Sequence, residues 1–459
     1  MTFQMTGMAL PRILECFAQL ERTVHPRAPP DTDIGVSAFS SPASLTAAYK
    51  RIEEEIQTLE SAIIAWKKRH NTLSITARLP SEILSDIFSY IIPEHTLIPY
   101  TNFPSPRGSK WFQVTHVCTH WRGIALECPN LWTRISFGSH SWWTEEMLMR
   151  SKAAPLIIVT PIFNSNQKSI ISALSNISRI KALHLEPFIS KVDWDILAVN
   201  LMNPAPQLER FVLHGSYQNA AASNRSTLPY DLFSGDAPRL RELELRNCKV
   251  PWTSPVLWTL TSLKVSYRHR VTGEGTGGLG LDQVISALRC IPCLEDLSLQ
   301  HALPTLRAED SINFSPGSAT IPLPCLKSIH LEDNLQACTY LLNQLPYPAT
   351  TSITLVSTLS WLDPDDLSKY RPTFHCLEEI FNKSCPFQRL TMYCGGDGIR
   401  LTAFDIVGAQ EHPSRPPVSQ VDVRLLIPTR CRNVLEMLLQ PLLASISMRS
   451  LESLKVIQA

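Results

Sequence analysis

From residue 180 onward the chain repeats one local pattern: apolar, two variable positions, apolar, one variable, apolar. Ile180-x-x-Leu183-x-Leu185 opens a series continued by Leu208-x-x-Phe211-x-Leu213, Leu240-x-x-Leu243-x-Leu245, Leu260-x-x-Leu263-x-Val265, Leu294-x-x-Leu297-x-Leu299 and Leu326-x-x-Ile329-x-Leu331. Weaker copies follow at Ile353-x-Leu355, Leu390-x-Met392, Val421-x-Val423 and Leu451-x-x-Leu454-x-Val456. Alternation with period two puts the apolar side chains on one face of a strand and the variable ones on the other. Between the strands lie helical stretches at 283–288, 335–345, 374–381 and 432–443. A unit of this kind, recurring at roughly 20 to 37 residues, cannot bury its apolar face alone; the next unit must cover it, so a row of units shares one core.

The pattern resembles leucine-rich repeats, in an irregular form, and implies an α/β solenoid over 138–459. The asparagine usual after the third apolar position is scarce; Asn247 and Asn334 come closest. A doubly wound parallel sheet also alternates strand and helix, but its strands are fuller Val/Ile runs, so it is the less favoured alternative.

A different signal occupies 76–137. Leu79-Pro80-x-Glu82-Ile83-Leu84-x-x-Ile87-Phe88 reads as a short helix with proline at its first position, where the missing N–H costs nothing, and with an apolar stripe continuing to Ile91. Val117-Cys118-x-x-Trp121-Arg122-x-Ile124-Ala125 and Pro129-x-Leu131-Trp132 follow. So small a segment cannot hide all of that apolar surface within itself, and part of it is expected to meet another protein. Together these motifs resemble an F-box, in the longer form common in filamentous fungi. The departure is the stretch from Pro93 to Lys110, with Pro99, Pro104 and Pro106, where many F-boxes have a short link. The resemblance implies a helical module that docks a Skp-type adaptor and, through it, a cullin ubiquitin ligase. The residues expected to make or support that contact are Leu79, Pro80, Ile83, Leu84, Ile87, Phe88, Val117, Cys118 and Trp121.

Residues 1–44 carry Pro26, Pro29, Pro30 and Pro42 among Ser and Thr and read as a disordered arm, with a short helix over Ile13 to Leu20. Over 45–75, Leu45, Tyr49, Ile52, Ile56, Leu59, Ile63, Trp66, His70 and Leu73 recur in alternating steps of four and three, flanked by mixed charge. That is a heptad seam. It is expected to fold back as an amphipathic helix onto the F-box or the first repeat. The competing expectation, a homodimeric coiled coil, is weakened by Tyr49 and His70 in a short seam, so the chain is expected to be monomeric in itself.

The net charge of +1 over 459 residues gives no reason to expect nucleic acid or an anionic membrane as partner. No apolar run approaches the ~20 residues needed to span a bilayer; Leu156 to Val159 is a strand-length segment. Twelve cysteines scattered through apolar segments suit reduced thiols, so a cytoplasmic or nuclear location is expected.

Three chemical motifs lack the surroundings their chemistry needs. Gly273-Glu274-Gly275-Thr276-Gly277-Gly278 fits a dinucleotide fingerprint, but it stands too far from the strand ending near Tyr267, and Glu295-Asp296 precedes its strand's core instead of following it. His116-x-Cys118-x-His120 has ligand spacing but no fixed further ligand. Cys290-x-x-Cys293 closes a helix, whereas redox pairs open one. No enzyme motif, metal site or cofactor site is therefore expected. The function these readings imply is capture of a substrate protein for a ubiquitin ligase; the alternative is a non-ligase leucine-rich repeat scaffold. Tentative substrate contacts are the variable strand positions His184, His214, Glu244, Arg246, Lys264, His330, Glu332 and Tyr393.

Overall fold

A computed structural model of the chain describes residues 41–91, 110–135, 137, 141–162, 166–187, 198–215, 226–250, 252–268, 280–304, 323–345, 347–358, 389–395, 398–404, 420–426 and 453–458. The chain divides into two compact units, one of Met1–Ile87 with Gln113–Ile124, the other of Phe88–Phe112 with Ala125–Ala459. The helices expected at Ile13–Leu20, 374–381 and 432–443, most of the 1–44 arm and the glycine-rich stretch at Gly273 lie outside the described residues.

The first unit is helical. Helix α1 (Pro42–Thr72) starts inside the span expected to be a disordered arm. The reason is local: Pro42 is pre-set for the first turn, and the Ser41 hydroxyl accepts a hydrogen bond from the Ser44 N–H. None of its residues is buried, and the seam at Ile52, Ile56, Leu59, Ile63 and Trp66 keeps 43–55% of its surface open. Its apolar seam is thus largely exposed. A 3-10 turn (Ile75–Arg78) leads to α2 (Ser81–Ser89). Pro80 stands just ahead of α2 rather than at its first position, and its carbonyl accepts the first helical bond from Leu84 N–H at 3.1 Å. Residues Lys110–His116 form a 3-10 segment, and α3 (Thr119–Glu127) follows.

In the second unit a 3-10 turn (Pro129–Trp132) precedes strand β1 (Arg134–Ile135). Its Trp132 is 2% exposed, edge-on to Trp111 at 5.2 Å, and its Nε1–H donates to the Ala125 carbonyl at 2.9 Å. Helix α4 (Ser141–Arg150) brings the Arg150 guanidinium over the Trp132 ring at 5.1 Å. Next come β2 (Leu156–Ile162), α5 (Gln167–Leu174), β3 (Ile180–Pro187), β4 (Arg210–His214), β5 (Ser226–Thr227), β6 (Glu242–Arg246), β7 (Cys248–Lys249) and β8 (Ser262–Ser266). The remainder is α6 (Leu281–Arg289), β9 (Asp296–Gln300), β10 (Ser328–Glu332), α7 (Leu335–Gln344), β11 (Ser352–Thr358), β12 (Arg389–Gly395), β13 (Gly398–Phe404), β14 (Gln420–Leu426) and β15 (Ser453–Gln458).

Among the described residues one sheet of thirteen strands takes the order β1-β2-β3-β4-β6-β8-β9-β10-β11-β14-β13-β12-β15. From β1 to β11 every neighbour is parallel. The repeated motif explains why. Leu183, Phe211, Leu243, Leu263, Leu297, Ile329 and Ile353 stand side by side, as do Leu185, Leu213, Leu245, Val265, Leu299, Leu331 and Leu355. All fourteen are at most 1% exposed. Slipping one strand by a residue would turn both of its core side chains outward, so the register is strongly fixed.

The regular succession ends after β11. Strand β14 follows it in space, β13 is antiparallel to both β14 and β12, and β12 lies two strands further out than chain order alone would put it. The cause is the Gly395-Gly396-Asp397-Gly398 stretch: the Gly395↔Gly398 pair closes a two-residue connection, which only an antiparallel hairpin can make.

Candidate functional site

In the first unit, α2 sorts the expected docking residues by burial. Leu84 is 1% exposed, whereas Ile83 and Ile87, one turn apart, are 45% and 43% exposed. Val117 is 55% exposed, Pro80 is exposed and Leu79 partly so. Cys118 and Trp121 are half-buried; the Cys118 thiol accepts the Trp121 N–H at 3.4 Å and its carbonyl accepts the Arg122 N–H at 2.9 Å, capping α3. Phe88, in the second unit, is fully buried. Leu79, Pro80, Ile83, Ile87 and Val117 thus present apolar surface, and Leu84 and Phe88 are packing residues. Isoleucines so exposed gain on the order of 1 kcal/mol each when a partner covers them.

The second candidate lies on the sheet face opposite the leucine rows. His184, Val212, Glu244, Lys264, Ser298, His330, Thr354 and Asp422 form one continuous row across adjacent strands. His214, Arg246, Ser266, Gln300, Glu332, Val356 and Arg424 form the next. Seven of the eight expected substrate contacts are therefore brought together in two rows. Tyr393 is not among them: it sits on β12, outside this run, and its side chain is not among those described.

The rows are not uniformly open. Lys264 is exposed and Arg246, Glu244, His330 and Glu332 partly so, but His214 is 2% exposed and does not face solvent as expected. Around it runs a polar chain. Glu186 Oε1 lies 2.8 Å from His184 Nε2 and 3.6 Å from His214 Nδ1, and His214 Nε2 lies 3.6 Å from Glu244 Oε1. Arg246 clamps the same Glu244 oxygen through Nε at 2.8 Å and Nη2 at 2.7 Å. Burial pushes His214 below the ordinary histidine range, while its hydrogen bond, with help from Arg246, holds Glu244 down at about 2 against the opposing effect of burial. Further along, Gln300 Nε2 meets His330 Nε2 at 3.1 Å, and burial lowers His330 also.

Glu186, 7% exposed, is the site residue that the leucine pattern concealed. It falls one place past the repeat's last apolar position, yet it shares parity with His184, and period two alone puts both on one face. Of the three motifs, the glycine-rich one at Gly273 lies outside the described residues. Cys118 caps a helix, Cys290 ends α6 as an exposed free thiol and Cys293 is also free and exposed. Among the described residues no helix is long and apolar enough to cross a membrane.

Residues 76–138 match the F-box-like family. Neither the curated proteins nor the solved structures yield a match to the chain.

Proposed function

We propose that the chain is a substrate-recognition adaptor of a Skp–cullin–F-box ubiquitin ligase. The observation that carries this reading is the division within the F-box-like segment: Ile83, Ile87 and Val117 hold apolar surface outward while Leu84 and Phe88 are buried. An outward apolar helix face on a family-matched segment suits a Skp-type partner. The repeats, read as an irregular leucine-rich repeat solenoid, would capture the substrate; the parallel strands and unbroken leucine rows support that reading through β11. The polar face, with acid, base and imidazole interspersed, suits selective recognition of a protein better than a uniform electrostatic grip.

The chain would perform no bond chemistry. It would raise the local concentration of a bound substrate beside the ligase's charged ubiquitin. Such work belongs to the cytoplasm or nucleus, where the free thiols described are at home.

Co-purification is the test. Wild-type chain should retain both a Skp-type adaptor and a cullin, and Ile83→Glu with Ile87→Glu should lose both while staying folded. Retention of the adaptor without cullin would replace the ligase reading with a scaffold; no adaptor binding by the folded wild type would overturn the docking assignment itself.

A further inference from the structure

We propose that His184, Glu186 and His214 form a site for a divalent transition-metal ion, with zinc the best fit. Residues 184 and 186 project from the same face of β3, and residue 214 stands on β4 one step beyond the Leu185–Leu213 pair, beside Glu186. One donor atom from each of the three lies within 4.8 Å of the others. Glu186 Oε1 is 2.8 Å from His184 Nε2 and 3.6 Å from His214 Nδ1. Ligands at the ~2.0–2.2 Å distances of zinc stand roughly 3.3 Å apart around a tetrahedron, so shifts of a few tenths of an ångström to about one ångström seat the ion. The imidazole rings meet edge to face, with centroids 5.0 Å apart.

The surroundings fit a metal more closely than they fit a plain ion-pair chain. The nitrogen of His214 that faces away from Glu186 points at Glu244, and Arg246 holds that carboxylate in place. A ligating histidine oriented through its second nitrogen by a fixed carboxylate is the usual support of a metal site. Glu186 carries its carboxylate at 7% exposure, where a dication offsets the charge. Two imidazoles and one carboxylate select zinc and its transition-metal neighbours over calcium and magnesium, which take mostly oxygen. Three protein ligands leave a fourth position for water or a partner's side chain.

The test uses the full chain stripped of metal and titrated with Zn2+ in competition with a chromophoric chelator. One equivalent should bind and raise the melting temperature. His184→Gln and Glu186→Gln should each abolish the saturable binding, and Glu244→Gln should weaken it by roughly 10–100-fold. Circular dichroism checks that each variant folds. A second measurement needs no variant: Co2+ bound to the wild type should show ligand-field bands without a thiolate charge-transfer band. Absence of saturable binding, binding unchanged in His184→Gln and Glu186→Gln, or a thiolate band pointing to cysteines elsewhere would each overturn the site.

Discussion

Arg246 and Glu244 project from the same face of β6, two residues apart, and the guanidinium reaches one carboxylate oxygen through both Nε and Nη2, at 2.8 and 2.7 Å. The pair anchors a chain that continues into the buried His214 and Glu186. Arg246 is thus tied into the sheet, whatever else it touches.

Acid should dismantle this chain in order. His214 has a folded-state pKa below its ordinary 6.5, so the unfolded chain binds the proton first, and stability falls as pH drops below about 6.5. Glu244, held at about 2 against an ordinary 4.5, adds a second loss between those two values. At ~1.4 kcal/mol per pKa unit that second loss has an upper bound of roughly 3 kcal/mol, reduced by solvent screening of this partly exposed carboxylate. Urea unfolding from pH 7 to pH 3 should show both limbs in wild type, and Glu244→Gln should lack the lower one. A flat profile between pH 6.5 and 3 would rule the chain out as a stabilising element.

Docking and packing should separate in α2. Ile83→Glu with Ile87→Glu places charges where solvent already reaches, so the melting temperature should change little while adaptor binding is lost. Leu84→Asp with Phe88→Asp instead buries two carboxylates without partners and should unfold the segment. Circular dichroism beside an adaptor pull-down distinguishes the two; equal unfolding by both pairs would contradict the assignment of faces.

Lys264 is the cleaner probe of substrate capture. It is exposed in the row between Glu244 and Ser298, and Lys264→Glu should weaken substrate binding several-fold while adaptor binding stays intact. Reversal at Arg246 would disturb Glu244 as well, so its effect mixes binding with folding. Loss of capture on deleting residues 273–278, with Lys264→Glu silent, would move recognition to that loop.

Helix α1 offers a stability test. Since none of its residues is buried, Ile56→Gln with Ile63→Gln should shift the melting temperature of the dilute chain by less than the equivalent of ~0.5 kcal/mol per site. Sedimentation of the wild type at micromolar concentration should show mainly monomer, in line with Tyr49 and His70 in the seam. A tight dimer dispersed by those substitutions would mean that the seam is covered by a second copy.

Much of the fold could be read from periodicity, because two leucines per strand suffice to choose both face and register. Strands β3, β4, β6, β8, β9 and β10 fall on the repeated motif, and α6 and α7 cover the stretches expected at 283–288 and 335–345. The pattern failed where chemistry other than hydrophobicity decides. The two-residue link between Gly395 and Gly398 reverses a strand whose apolar spacing looks like its neighbours'. In α2, spacing put Ile83, Leu84, Ile87 and Phe88 on one broad stripe, and only packing tells its inner edge from its outer one. The burial of His214 was equally hidden, since parity assigns a face but not what lies above it.

The fixed register has a consequence for whatever lies on the polar face. Connections between strands vary widely in length, yet no step slips between β4 and β11. With strands about 4.8 Å apart, the row from His184 to Asp422 is a ruler of eight marks over roughly 33 Å. An extended peptide laid across it advances about 3.4 Å per residue, so the two scales drift out of step after a few contacts. Insertions in the loops can lengthen the chain without moving a single mark, which frees loop evolution from the spacing a partner must match.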